Sequence, residues 1–284
     1  MSLLSDKISS YAIDGYATLN YAVTSAPLVI PQTATTLYSN NPTGTSLKVY
    51  EPTVTCAGGG GSWKFSIPAT GSGFQNTWQG LYANNAQNDG DYSAGVWMKF
   101  NSIPAGTLST NQYGHTGAGS TSSGFQFQLA GSLHATNPSK WILSAKGITQ
   151  NLSFGPTIGQ WHYLAVTKKT DGTMKFYIDN VLVRTTTGLS TATAISSANI
   201  GPTANSGAAY SVNISDYYIA PTSAIDEAQI AEIWAVGSGA ALPRTVKYYD
   251  GSSWQTSSAQ KVWNGTAWVD WDAKRFDGTS WVTI

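Results

Sequence analysis

Carboxylates and imidazoles are the side chains that would do acid–base or metal chemistry here, and the chain has few of them. The only glutamates are Glu51, in a Pro-flanked segment read as a loop, and Glu227 and Glu232, which share a helical segment. Glycoside hydrolysis needs two carboxyl groups about 5–10 Å apart on rigid elements, and no strand presents these glutamates as such a pair. His115, His134 and His162 are widely spaced, without the i, i+4 pair of a helical zinc site. His162 lies on a strand pattern, where a structural role is expected. No Gly-x-Ser-x-Gly elbow occurs, and "CAGGGGS" (Cys56–Ser62) lacks the Lys and helix of a phosphate-cradling loop. The residues point away from an enzyme.

Two binding chemistries stay open. "NNAQNDGDY" (Asn84–Tyr92) gathers Asn84, Asn85, Asp89 and Asp91, hard oxygen donors suited to calcium. The alternative is a turn rich in Asn, Asp and Gly for backbone reasons. Calcium is the one cofactor the sequence offers. A sugar would need an aromatic platform beside hydrogen-bonding side chains. Trp78 in "FQNTWQG", Tyr113 and His115 in "TNQYGHTG", and Trp141 in "PSKWILS" are the candidates, each with core or loop packing as its alternative. Trp97, Trp161 and Trp234 sit inside strand or helix patterns and read as core.

These residues need a scaffold. The chain has 284 residues, zero net charge, 11% charged residues, 29 Gly, 11 Trp and 15 Tyr. Low charge with many Gly and aromatics favours a β-sandwich or barrel, and the charge balance gives no reason to expect nucleic acid or an anionic membrane. Cys56 is alone and reads as a small buried residue. No secretory signal and no membrane-spanning run is visible, which fits a protein made in the cytoplasm and deployed by lysis or assembly.

"YSAGVWMKFN" (Tyr92–Asn101) and "GFQFQLAG" (Gly124–Gly131) alternate as half-buried strands, the second with Phe125, Phe127 and Leu129 on one face. "WHYLAVTKKTDGTMKFYIDNVLVRTTT" reads as a three-strand meander turning at Asp171-Gly172 and at Asp179-Asn180. One helix is expected in "APTSAIDEAQIAEIWAVG": Ser223 as N-cap with Asp226 three residues on, a stripe of Ile225, Ile230, Ile233 and Trp234, and Gly237 as the stop. These stretches resemble, in order, the core strands, signature meander and closing strand plus helix of laminin-G-like, concanavalin-A-like jelly rolls. The resemblance implies an all-β jelly-roll sandwich with one short helix over residues 1–240. Glycosidases of that fold carry a Glu-x-Asp-x-x-Glu strand, which is missing here. Its lectins, adhesion modules and viral structural domains remain.

The tail repeats itself. "KYYDGSSWQ", "KVWNGTAWV" and "KRFDGTSWV" share Lys, any residue, aromatic, Asp or Asn, Gly, two small residues and Trp. Reading each Asp/Asn-Gly as a two-residue type I′ turn makes three hairpins over residues 246–284. That register sets Lys261 against Trp268, with Trp263 diagonal, and likewise Lys247, Tyr249 and Trp254, and Lys274, Phe276 and Trp281. An isolated hairpin is marginal in water, so these residues are expected to bury one another or copies from other chains, a homotrimer being favoured. The run resembles the tails of minor tail proteins from phages of Gram-positive hosts. That likeness implies a virion component, tail before capsid, whose partners are other virion proteins and host cell-surface glycan. A bacterial surface adhesion module and a capsid decoration protein are the alternatives.

Overall fold

A computed structural model of the chain describes residues 7, 15–17, 28–30, 35–39, 47–51, 53–59, 61–67, 77–78, 81–84, 91–117, 120–145, 148–189, 195–200, 203–204, 209–220, 224–239, 246–249, 254–257, 261–263, 268–270, 274–276 and 281–283. It divides into two compact units, Met1–Gly239 and Ala240–Ile284.

The first unit is two antiparallel sheets. One runs β4 (Leu47–Glu51), β5 (Ser62–Ile67), β18 (Tyr210–Ala220), β8 (Tyr92–Phe100), β13 (Trp161–Lys168), β14 (Met174–Ile178) and β15 (Val181–Thr186), with β1 (Gly15–Ala17) also on β18. The other runs β2 (Leu28–Ile30), β3 (Thr35–Ser39), β7 (Leu81–Asn84), β16 (Ile195–Ile200), β9 (Ser109–Gly117), β10 (Ser120–Ala130), β11 (Trp141–Ala145) and β12 (Ile148–Asn151). A short pair, β6 (Thr77–Trp78) with β17 (Thr203–Ala204), stands apart. Glu51, expected in a loop, closes strand β4. The expected meander is present as β13, β14 and β15. Its second turn needs only Asp179 and Asn180, at φ 51° and 66°, the left-handed pair that a type I′ turn requires and that Asp and Asn tolerate.

Alternation builds the core. Tyr92, Ala94, Val96, Met98 and Phe100 of β8 face inward with Leu164 and Val166 of β13, against Phe125, Phe127 and Leu129 of β10. Phe176 meets Phe127 at 5.5 Å and Phe100 meets the edge of Trp141 at 5.4 Å, so aromatic pairs join the two sheets. At one lateral edge the buried Arg184 of β15 donates to the carbonyls of Leu143 and Ile148 at 2.9 and 3.2 Å, tying the first sheet to the β11–β12 hairpin.

The outer face of the first sheet carries a second core. Trp97, Tyr163, Ala165, Tyr177 and Tyr218 pack there under Ile225 and the helix α1 (Glu227–Ser238), through Ile230 and Ile233. The helix boundaries correct two expectations. Its N-cap is Asp226, not Ser223: the Asp226 carboxylate accepts from Gln229 N–H and the Gln229 side chain accepts from Asp226 N–H, both at 2.8 Å. Ser223 lies outside the described residues. The C-cap is Gly239, left-handed at φ 72°. Gly237 lies inside the helix because it rests on the Trp97 indole, where a Cβ would collide with the ring.

The second unit contains three hairpins, β19 (Val246–Tyr249) with β20 (Trp254–Ser257), β21 (Lys261–Trp263) with β22 (Trp268–Asp270), and β23 (Lys274–Phe276) with β24 (Trp281–Thr283). Their register differs from the two-residue turn. Tyr249 pairs with Trp254, Trp263 with Trp268, and Phe276 with Trp281, while Lys247, Lys261 and Lys274 pair with Thr256, Asp270 and Thr283. Four residues therefore separate the strands in each repeat, and the Asp/Asn-Gly does not close the ladder alone. The slip moves pairing by two positions, so alternation keeps Lys, aromatic and Trp at positions of one face. It replaces a Lys opposite Trp by an aromatic opposite Trp.

Candidate functional site

The fold separates the residues expected to bind. Tyr113 is fully buried on the inner face of β9, edge-on to Phe125 at 5.4 Å and stacked on Phe127 at 5.9 Å. Trp141 is fully buried where β11 begins. Neither can serve as a sugar platform, because alternation turns both into the space between the sheets. Trp78 lies on β6 opposite Thr203, and His115 lies on β9 between Phe125 and Ala198; their side chains fall outside the described residues. Of the calcium donors, Asn84 ends β7 opposite Ser197, with its side chain outside the described residues, as are Asn85 and Asp89. Asp91 Oδ1 accepts from Thr170 N–H at 2.6 Å, so this carboxylate caps the β13–β14 turn. Among the described residues no three His, Cys, Asp or Glu side chains converge on a point that could hold a metal.

The glutamates and His162 are all engaged. Glu232 pairs with Lys7 at 2.7 Å, Glu227 with Lys175 at 2.6 Å, and Glu51 with Lys64 at 3.7 Å. His162 Nε2 accepts from Thr157 N–H at 2.9 Å, which leaves Nδ1–H to face Asp179 at 2.6 Å. The buried Cys56 thiol lies 3.7 Å from the buried Asp216 carboxylate. Burial, then the charge of Asp216, pushes its pKa well above the usual thiol value.

Helix α1 covers only part of the outer face. Beside its first turn is a cleft of about 390 Å³ lined by Thr167, Lys169, Thr173, Lys175, Tyr177, Ile225 and residues 226–228. Its charges largely satisfy one another. Glu227 takes the Lys175 ammonium and the Tyr177 hydroxyl, and the Lys175 contact holds its carboxyl below the usual range. Asp226 is spent on the helix cap.

Beyond Trp97, where the helix ends, the outward residues of the sheet are mostly polar. Register places Trp161 of β13, Lys99 of β8, Asn213 of β18 and Lys64 of β5 in one row across the strands. Trp161 is half-buried, and the Lys99 ammonium lies 5.6 Å from its ring centre. The exposed Asn101 donates through Nδ2 to Ser211 Oγ at 3.2 Å and to Asn213 Oδ1 at 2.7 Å. Asn213 is 1% exposed and donates in turn to Glu51 Oε2 at 2.7 Å and Ser62 Oγ at 2.9 Å. A flat aromatic thus stands beside hydrogen-bonding groups that are already fixed in place. Sequence reasoning put Trp161 in the core, and the indole does pack against the margin of the second core while staying half-buried. The signal it missed is that Asn101, Asn213 and Lys64 continue the outward phase of strands whose other outward residues lie under the helix.

The model of the concanavalin A-like lectin/glucanases superfamily matches residues 78–231, more than half of the chain. The chain belongs to this superfamily. Among solved structures it is similar to the binding domain of botulinum neurotoxin serotype D, with a TM-score of 0.53 and 14% identity over 86% of this chain and 55% of that one. It also resembles the cellulose-induced protein Cip1, with a TM-score of 0.48 and 16% identity over 66% of this chain and 91% of that one. At such identities the likeness is one of fold, and the chain spans about half the length of the toxin domain. No curated protein matches the chain in sequence.

Proposed function

We propose that the chain is a non-enzymatic structural component of a bacteriophage virion, of minor-tail, tail-tip or fibre type. The sandwich contacts host-surface glycan or a neighbouring virion protein, and the C-terminal hairpins join copies of the chain. The observation that carries this reading is the second unit: three separate two-stranded hairpins, each pairing a first-strand aromatic with a second-strand Trp. A two-stranded hairpin is marginal on its own in water, and a single cross-strand aromatic pair adds only about 0.2–1 kcal/mol. Association between copies supplies the missing burial. Superfamily membership supports the contact role of the sandwich, as a lectin-like surface.

Light scattering on the full chain and on a form ending at Pro243 tests the assembly role. The full chain is expected at a multiple of the 30.1 kDa chain mass, three being favoured, and the shortened form as a monomer. A monomeric full chain, or an oligomer that survives the truncation, overturns it. Detection of the chain in purified virions separates this reading from a cell-surface adhesion module of the same superfamily.

A further inference from the structure

We propose that the polar half of the outer face binds an acidic saccharide, with Trp161 as the platform for a sugar ring and Lys99 as the counter-ion of a sugar carboxylate. The inference rests on the reading of the sandwich as a glycan-contacting module and names the surface and ligand class. Lys99 is the informative residue. Lys7, Lys64 and Lys175 each meet a carboxylate within 4.0 Å, whereas Lys99 has no ion-pair partner among the described residues and leans on the Trp161 ring instead. A half-exposed cation over an indole is modestly held, and its flexible stem lets the ammonium swing from the ring to the rim when a sugar stacks.

The hydrogen-bonding groups beside it are set in advance. Both Asn101 Nδ2 bonds point into the protein, toward Ser211 and Asn213, and its Oδ1 takes no donor among the described residues. Ser211 Oγ accepts from Asn101 and keeps its own O–H to donate. One acceptor and one donor therefore stand together at the end of β8 that carries Lys99, which suits a sugar hydroxyl that both gives and receives. Asn213, anchored by Glu51 and Ser62, keeps this arrangement rigid, so little ordering is left to binding. The charges select the ligand. Glu51 and Lys64 neutralise each other at 3.7 Å, leaving Lys99 to give the row its net positive sign. Leu133 and Phe154, two of the well-exposed large apolar side chains, sit on loops outside this row.

The test is affinity electrophoresis of the full chain through polygalacturonate, alginate and hyaluronate, with methyl-esterified polygalacturonate and dextran as neutral counterparts. The wild type is expected to be retarded by at least one carboxylated polymer and about tenfold less by the neutral ones. Lys99→Gln should erase the preference for acid over ester, and Trp161→Ala should weaken binding to every polymer at least tenfold. Lys99→Gln changes a half-buried surface residue, so it reports on the site even if Trp161→Ala unfolds. No retention by any carboxylated polymer overturns the proposal, and so does retention that both variants leave unchanged. In the second case glycan contact itself stands and only this surface is wrong. If the protein binds neither glycan nor host envelope, the host-glycan reading falls with it and contact with a neighbouring virion protein is what stands.

Discussion

Asp179 holds together the end of the sheet from which Trp161 projects. Its backbone sits at φ 51° in the two-residue turn, and its carboxylate receives His162 Nδ1–H at 2.6 Å and Tyr163 N–H at 2.8 Å. Two independent demands therefore meet at one residue, a left-handed backbone and a double acceptor. Asp179→Ala fails both and is expected to lose about 1–3 kcal/mol, since it strands two donors and leaves an alanine in the left-handed region. Asp179→Asn keeps an acceptor for Tyr163 N–H, and Asn tolerates that backbone, so it should lose clearly less. Urea denaturation of the two variants measures the difference, and equal losses would show that the carboxyl oxygens are not what matters. The turn was legible in the sequence because Asp-Asn between two strands has a local conformational meaning. The His162 contact was not, because it depends on where residues 157 and 179 meet across strands.

At the level of elements, α1 decides which outward residues of the first sheet are core and which are surface. Trp97 and Trp161 occupy the same phase of neighbouring strands, yet one is 1% exposed beneath the helix and the other half-buried at the margin of that packing. Alternation within one strand reveals phase but not cover, which is why the sequence assigned both to the core and named Tyr113 and Trp141 as surface candidates instead. The strands, the meander and the closing helix were legible because period and turn residues are local signals. The hairpin register was not, since an Asp/Asn-Gly pair is compatible with both a two-residue and a four-residue connection. The helix ends follow the same logic: Asp226 and Ser223 are equally good caps by type, and only Gln229 at N3 of the observed helix completes the reciprocal bonds. Asp226→Ala should cost about 1 kcal/mol. Gly237→Ala, normally stabilising inside a helix, should instead cost about 1–3 kcal/mol because its methyl meets the Trp97 indole. Thermal melts followed by near-ultraviolet dichroism of Trp97 would show the reversal of sign. A stabilised Gly237→Ala would mean that the helix does not press on the sheet there.

For the molecule as a whole, the interior is unusually phenolic, and this sets its behaviour in alkali. Tyr92, Tyr113, Tyr217 and Tyr218 are essentially without solvent exposure, and burial is the first cause that raises the pKa of each. Tyr113 is raised further by the neighbouring phenols. In the unfolded chain a tyrosine ionises near pH 10. The folded values lie above the unfolded ones, so the native state retains protons that the unfolded state gives up. Stability is therefore intact below about pH 10 and falls as pH climbs above it, each phenol steepening the slope in proportion to the protons released. Cys56, raised by burial and Asp216, adds the same sign from the lower onset of about pH 8.5 set by its unfolded thiol. The expected titration, read by absorbance at 295 nm, has two parts: a gradual rise from exposed tyrosines, then a cooperative step that coincides with loss of near-ultraviolet dichroism. Iodoacetamide should label Cys56 only in that second step. Smooth ionisation of every tyrosine near pH 10 with the dichroism preserved would mean that water reaches the space between the sheets, and the sandwich would not be the closed, aromatic-packed body from which the outer face projects.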